Sequence, residues 1–202
     1  ETDQRTPSEQ ALSLTDPMNE VPVLNTARCN LALLQPDNAH LFFAYRERNL
    51  AHVAPWEPAP NPNDGTLEQA CHRVAAKSAK GFADGVSVHF IATDRETGAV
   101  VAGCNFTNIV RGIFQACHLG YSVDHAWQGK GLMFEVAQAG IAYMFDIQGL
   151  HRVMANHMPA NVRSEKLLRR LGFEREGVAR AYLKINGQWQ DHVLNALVNE
   201  PP

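Results

Sequence analysis

Between Trp127 and a long apolar run the chain reads Gln128-Gly129-Lys130-Gly131-Leu132-Met133. Glycine in a helix interior costs about 1 kcal/mol relative to alanine, so two glycines ahead of an apolar run mark a backbone with a special task. Two tasks are open: a plain turn, or a cradle for a phosphate. The phosphate loop of nucleotide hydrolases requires G-x-x-x-x-G-K-[ST], and here both the spacing and the hydroxyl fail. The dinucleotide fingerprint requires a further glycine where Phe134 stands. What survives is a glycine turn opening a helix, whose unpaired N–H groups and dipole suit an anion, with Lys130 able to add charge. The residues alone leave turn and cradle both standing.

The remaining reactive side chains point away from metal chemistry. The 4 cysteines (Cys29, Cys71, Cys104, Cys117) are scattered without a C-x-x-C pair, and His125, His151, His157 and His192 show no ligand spacing. No metal is expected, and the thiols read as reduced and buried. A net charge of −3 argues against a strongly basic nucleic-acid binder. The polar start has no signal-peptide pattern, and no window approaches the roughly 20 apolar residues of a membrane span. A cytoplasmic protein is the expectation, with no direct nucleic-acid or membrane partner.

Residues 1–21 read as a flexible arm, and residues 22–199 as one α/β domain. A short apolar strand leads into a helix carrying Leu41, Phe42, Tyr45, Arg46 and Asn49. The proline-dense "APWEPAPNPNDGT" is a loop holding Trp56 and Glu57, which serve as packing anchors or as binding residues. A second helix and three strand-like runs follow, the last with Leu119, Tyr121 and Val123 alternating against His118, Gly120 and Ser122. The glycine link opens a helix with Met133, Ala137, Ile141 and Met144 on one face. A strand, "HRVMANHM", precedes a short helix with Asn161 as N-cap and Gly172 as its stop, and the chain ends in an Asn-Gly hairpin. The order is β-α-α-β-β-β-α-β-α-β-β, implying a mixed central sheet flanked by helices.

"QGKGLM" after "LGYSVDHAW" resembles motif A of the GCN5-related N-acetyltransferases, [QR]-x-x-G-x-[GA], with Gln128 and Gly131 matching and Met133 departing from the usual small residue. "PWEP", "NFTNIVRGIFQACHLGYSV", "HRVMANHMPANVRS", "LLRRLGFEREG" and "INGQWQDHVL" extend the likeness to the RimJ-type subgroup, which acetylates the N-terminal alanine of ribosomal proteins. The resemblance implies direct attack of an amine on acetyl-coenzyme A. The acceptor it implies is a ribosomal protein's N-terminus; the alternatives are a small amine (polyamine, aminoglycoside or amino acid) or a non-catalytic sensor of coenzyme A.

It also implies roles. Backbone amides of Gln128, Gly129, Lys130, Gly131, Leu132 and Met133 hold the pyrophosphate. Tyr121, Ser122 and Val123 pair with the pantetheine arm as another strand would, and amides near Tyr121 and Ser122 face the thioester oxygen. Asn156 and Asn161 match polar positions lining the cofactor. Many relatives carry a tyrosine acid where this chain has Leu168, whereas Ser164 matches the serine assigned to the leaving thiol in the subgroup. A thiol of pKa about 8.5 needs only a weak donor. His118 stands where many relatives have a glutamate base, and Glu57 is placed to attract an ammonium group. An α-amine, with pKa about 7.7–8.0 against about 10.4 for lysine, manages with a weak base. Oligomeric state is not legible.

Overall fold

In the computed structural model, which describes residues 21–199, the chain opens with strands β1 (Val23–Asn25) and β2 (Cys29–Leu33). Helices α1 (Ala39–Val53) and α2 (Leu67–Ala83) follow, then strands β3 (Val88–Asp94), β4 (Val100–Val110) and β5 (Ala116–Val123). After them come α3 (Leu132–Ala142), β6 (Arg152–His157), α4 (Val162–Arg170), β7 (Glu174–Ile185) and β8 (Gln188–Val198). The expected order is present, with one addition. The three-residue β1 carries no alternation that would announce it and pairs with β2. Apart from Val21, the N-terminal arm expected over 1–21 lies outside the described residues. No helix among the described residues is long and apolar enough to cross a membrane.

The strands form one 8-stranded sheet in the order β1-β2-β3-β4-β5-β6-β8-β7. Every pairing is antiparallel except β5 with β6, which the α3 crossover makes parallel. Side chains alternate between two faces. Ile91 packs with Leu34, Phe42, Tyr45 and Ala75 beneath α1 and α2. Cys117, Leu119, Val153 and Ala155 join Leu132, Val136 and Leu168 in the core beneath α3 and α4. The predicted face is buried throughout: Met133, Ala137 and Ile141 of α3 lie inside, as does Met144 of the π-helical turn Tyr143–Ile147 that continues it. At Gly140 the helix meets β4 so closely that a Cβ would lie 2.9 Å from Phe106.

One irregularity of the sheet positions the site. β5 and β6 share register only at Ala116↔Arg152, Cys117↔Val153 and His118↔Met154. Beyond that β5 stays with β4 as far as Val123, and β6 stays with β8 as far as His157. A wedge therefore opens between the two strands, and the β6-facing backbone groups of residues 119–123 have no sheet partner among the described residues. The separation of β5 from β6 frees them. β4 and β5 pair without interruption from Ala102↔Val123 to Thr107↔His118, and their irregularity lies beyond, between Thr107 and Val110.

Candidate active site

The glycine link sits at the mouth of this wedge, fastened from both sides. Asp124, at the end of β5, caps the short turn His125–Trp127 by accepting from the Ala126 amide at 2.9 Å. Its other oxygen receives Arg48 Nε at 2.6 Å and Asn49 Nδ2 at 3.0 Å, both from α1. Burial works to raise the Asp124 pKa, but the hydrogen bonds from Asn49, Ala126 and Arg48 outweigh it and hold the carboxyl below its ordinary range. Asn49 in turn accepts from the His125 amide at 2.9 Å. On the opposite side Arg28 donates to the Lys130 carbonyl at 2.9 Å and to Glu135 at 2.7 Å, so the acid in the first turn of α3 is already matched.

Held this way, Gly129 takes φ 71° and Gly131 φ 73°, the left-handed region that disfavours any side chain. Gly131 is the N-cap of α3 and supplies no side-chain cap, which leaves the first amides of the helix for a ligand. A Cβ on Gly129 would meet nothing within 4 Å, so the backbone is open to close approach. Met133 does not obstruct it, because its side chain is only 7% exposed and packs into the core. Three cations surround the link. Lys130 lies 5.5 Å from the Trp127 ring centroid, Arg163 donates to Gln128, and Arg170 lies 3.8 Å from where a Gly131 Cβ would be. Gln128 also contacts His52 Nε2 at 2.6 Å, tying α1 to the link. Of these cations only Lys130 stands inside the motif; Arg163 and Arg170 come from α4, and sequence reading passed over both. Backbone donors with flanking cations fit a diphosphate.

Tyr121 and Ser164 meet on the α3/α4 side of the sheet, with Tyr121 Oη 2.6 Å from Ser164 Oγ. Burial pushes the Tyr121 hydroxyl up to about 12, opposed by its bond to Ser164. Asn161 caps α4 by accepting from the Ser164 amide at 3.1 Å, which fixes where that serine stands. Leu168, at the position where other family members are expected to carry tyrosine, is 1% exposed and belongs to the core. Val123 packs against the same core.

The opposite face carries Ser122, Gly120 and His118. Ser122 Oγ accepts from the buried Tyr45 hydroxyl at 2.8 Å. His118 is half-buried, its Nδ1 has no hydrogen-bond partner among the described residues, and desolvation lowers its pKa, favouring the neutral ring. By register with Met154, Asn156 shares this face, and its amide reaches the Tyr182 hydroxyl of the hairpin at 3.4 Å. Glu57 is not a free charge. Arg46 grips both its oxygens, at 2.7 and 2.6 Å, and this matched pair leaves little negative potential for an ammonium group. The Glu57 carbonyl also accepts the Asn186 amide at 3.1 Å, joining the α1–α2 segment to the hairpin tip. The predicted residues thus divide into two sets on either side of β5.

Comparison with known proteins identifies the family. Residues 28–174 match the Acetyltransferase (GNAT) domain family. Over 179 residues, the chain is 42% identical to the [Ribosomal protein uS5]-alanine N-acetyltransferase of Escherichia coli (strain K12), covering 86% of this chain and 89% of that one. The crystal structure of a ribosomal-protein-S5-alanine acetyltransferase from Vibrio fischeri superposes with a TM-score of 0.82 at 34% identity, over 89% of this chain and 97% of that one. RimJ from Mycobacterium smegmatis shares the fold, with a TM-score of 0.79 at 23% identity, over 89% of this chain and 88% of that one. With a glycine cradle, a parted pair of strands and a family match across most of its length, the chain belongs to the GNAT acetyltransferases and is an acetyl-coenzyme A-dependent N-acetyltransferase.

Proposed function

We propose that this enzyme transfers acetyl to the N-terminal α-amine of a ribosomal protein whose first residue is alanine, in the cytoplasm. The observation that carries this reading is the 42% identity, spread over 179 residues, to an enzyme that acts on ribosomal protein uS5. The amides of residues 128–133 and the cations Lys130, Arg163 and Arg170 hold the diphosphate of the cofactor. The unpaired edge of residues 121–123 receives its pantetheine arm, Asn161 sets the start of α4 beside it, and backbone N–H groups there meet the thioester oxygen as it gains charge.

Ser164 donates to the leaving sulfur, and Tyr121, donating to Ser164, frees the serine proton to point at it. His118 takes the proton of the attacking amine. Its burial keeps the ring neutral, as a base must be, and an α-amine needs little help at neutral pH. The C–N bond forms and the C–S bond breaks; the sulfur leaves as a thiolate held by the Ser164 hydrogen bond and takes its proton from solvent, to which His118 returns the proton of the amine.

Incubation with acetyl-coenzyme A and an alanine-initiated peptide tests the acceptor, alongside an N-blocked lysine peptide and spermidine. Thiol release with the free α-amine peptide and neither of the others is the expected result. Preference for spermidine overturns it in favour of a small-amine enzyme, and no release with any amine favours a sensor.

A further inference from the structure

On the α1/α2 side of the sheet, the register sets His89 of β3, Asn105 of β4 and Gly120 of β5 abreast. A Cβ on Gly120 would lie 2.8 Å from Asn105 Oδ1 and 3.2 Å from its Nδ2. The Asn105 amide therefore occupies the place of the side chain that Gly120 lacks, lying flat over the strand just past the point where β6 departs. Asn105 is half-buried, yet its side chain makes no hydrogen bond among the described residues. Neither of its polar atoms is sealed from solvent, so the partners of its two donor hydrogens and two lone pairs are water or a ligand.

Its neighbours do not supply them. Ser122, next along β5, is taken by Tyr45. His89 packs edge-on against Phe42, with ring centroids 5.7 Å apart, and burial together with Arg46 pushes its pKa to about 4, so it stands neutral. His118, on the other side of Gly120, also has an unpartnered Nδ1. Asn105 and His118, neither with a side-chain hydrogen bond at these atoms among the described residues, thus flank the glycine that adjoins the wedge.

We propose that Asn105 is the residue that positions the acceptor: its Oδ1 accepts an N–H of the incoming amine above Gly120 and aims the nitrogen's lone pair at the thioester carbonyl. A neutral amide holds the amine without a negative charge, so it does not favour the unreactive ammonium form as a carboxylate would. The amine's departing proton goes to His118, and Asn105 exchanges none. This rests on the acetyltransferase reading, and it holds for whichever amine is the acceptor.

Steady-state kinetics with each substrate varied in turn test it, using the amine that the wild type turns over fastest among the alanine-initiated peptide and spermidine. Asn105→Ala is expected to raise the acceptor KM about 10-fold, the effect of one lost hydrogen bond to a polar ligand, with the KM for acetyl-coenzyme A within about 2-fold of wild type. Asn105→Leu, which keeps the shape and removes the polar atoms, should do the same if the alanine variant folds poorly. Gly120→Ala should also raise the acceptor KM, because its Cβ displaces the amide; added to Asn105→Ala it should have little further effect. An unchanged acceptor KM in Asn105→Ala and Asn105→Leu, a parallel rise for acetyl-coenzyme A, or independent multiplication of the two substitutions overturns the proposal. Turnover of spermidine alone overturns the ribosomal-protein reading, and the Asn105 proposal is then judged on the KM for spermidine.

Discussion

Tyr121 and Ser122 are adjacent in the chain and serve opposite sides of the sheet. Tyr121 turns toward α3 and α4, bonds Ser164 and stands with the glycine cradle. Ser122 turns toward α1, receives Tyr45 and stands with Asn105 and His118. The first side is built mainly from two stretches, 121–133 and 161–170, with Arg28 and α1 fastening the glycine link. The second draws on β3, β4, β5, the α1–α2 segment and the hairpin. In the proposed reading a diphosphate and a pantetheine arm meet backbone, and backbone geometry is written locally in glycines and caps. An amine is recognised by side chains, and those are gathered only by the sheet register.

The division makes kinetic predictions. Gly131→Val combines the strain of a β-branched residue at φ 73° with displaced phosphate contacts. Backbone strain of about 1–2 kcal/mol and lost charge-assisted bonds of about 1.5–3 kcal/mol correspond to roughly 100-fold in the KM for acetyl-coenzyme A. The acceptor KM should stay put; a comparable rise there would show that the two sides are not separable.

Ser164→Ala and Tyr121→Phe should each lower kcat by about 10-fold, through one lost hydrogen bond to a developing charge. The double variant should be little worse than either single one, because the hydroxyls act as a pair. Multiplicative losses would mean that Tyr121 acts apart from Ser164.

His118→Ala is smaller in size and differs in kind. The lowered pKa of His118 places the acid limb of kcat/KM below the ordinary histidine value, and the substitution should remove that limb while lowering the plateau several-fold. A pH profile identical to wild type would remove His118 as the base.

The smallest effect concerns stability on the acceptor side. The folded-state pKa of His89, about 4, lies below the 6.5 of a free histidine, so the unfolded chain binds the proton first as pH falls. Stability present above pH 6.5 is therefore lost progressively toward pH 4. Urea midpoints at pH 7 and pH 5 should show a drop that His89→Gln reduces. An equal drop in the variant would assign it to other groups.

Sequence patterns reached unevenly across the two sides. The glycine link, the Asn161 cap, the buried face of α3 and the Asn186-Gly187 turn were legible, since each follows from local backbone preference or helical period. Glu57 illustrates the limit: its place in a proline-rich loop left packing anchor and binding residue both open, and only the packing of α1 brings Arg46 onto it. Arg163 and Arg170 could have been noticed as cations on a helix whose start the family resemblance sets beside the cofactor, but nothing in their spacing aims them at Gly131. Asn105 carried no signal, since one asparagine in an apolar strand looks like any polar position.

Local chemistry in this chain thus determined where backbone can bind an anion and which helix faces must be covered, because φ preferences and apolar periods act over a few residues. Only the tertiary structure decided that β5 and β6 part company, that Tyr121 meets Ser164, and that Asn105 lies over Gly120. Those contacts depend on strand register and helix docking, which bring together residues far apart in the chain and leave no trace in any one segment.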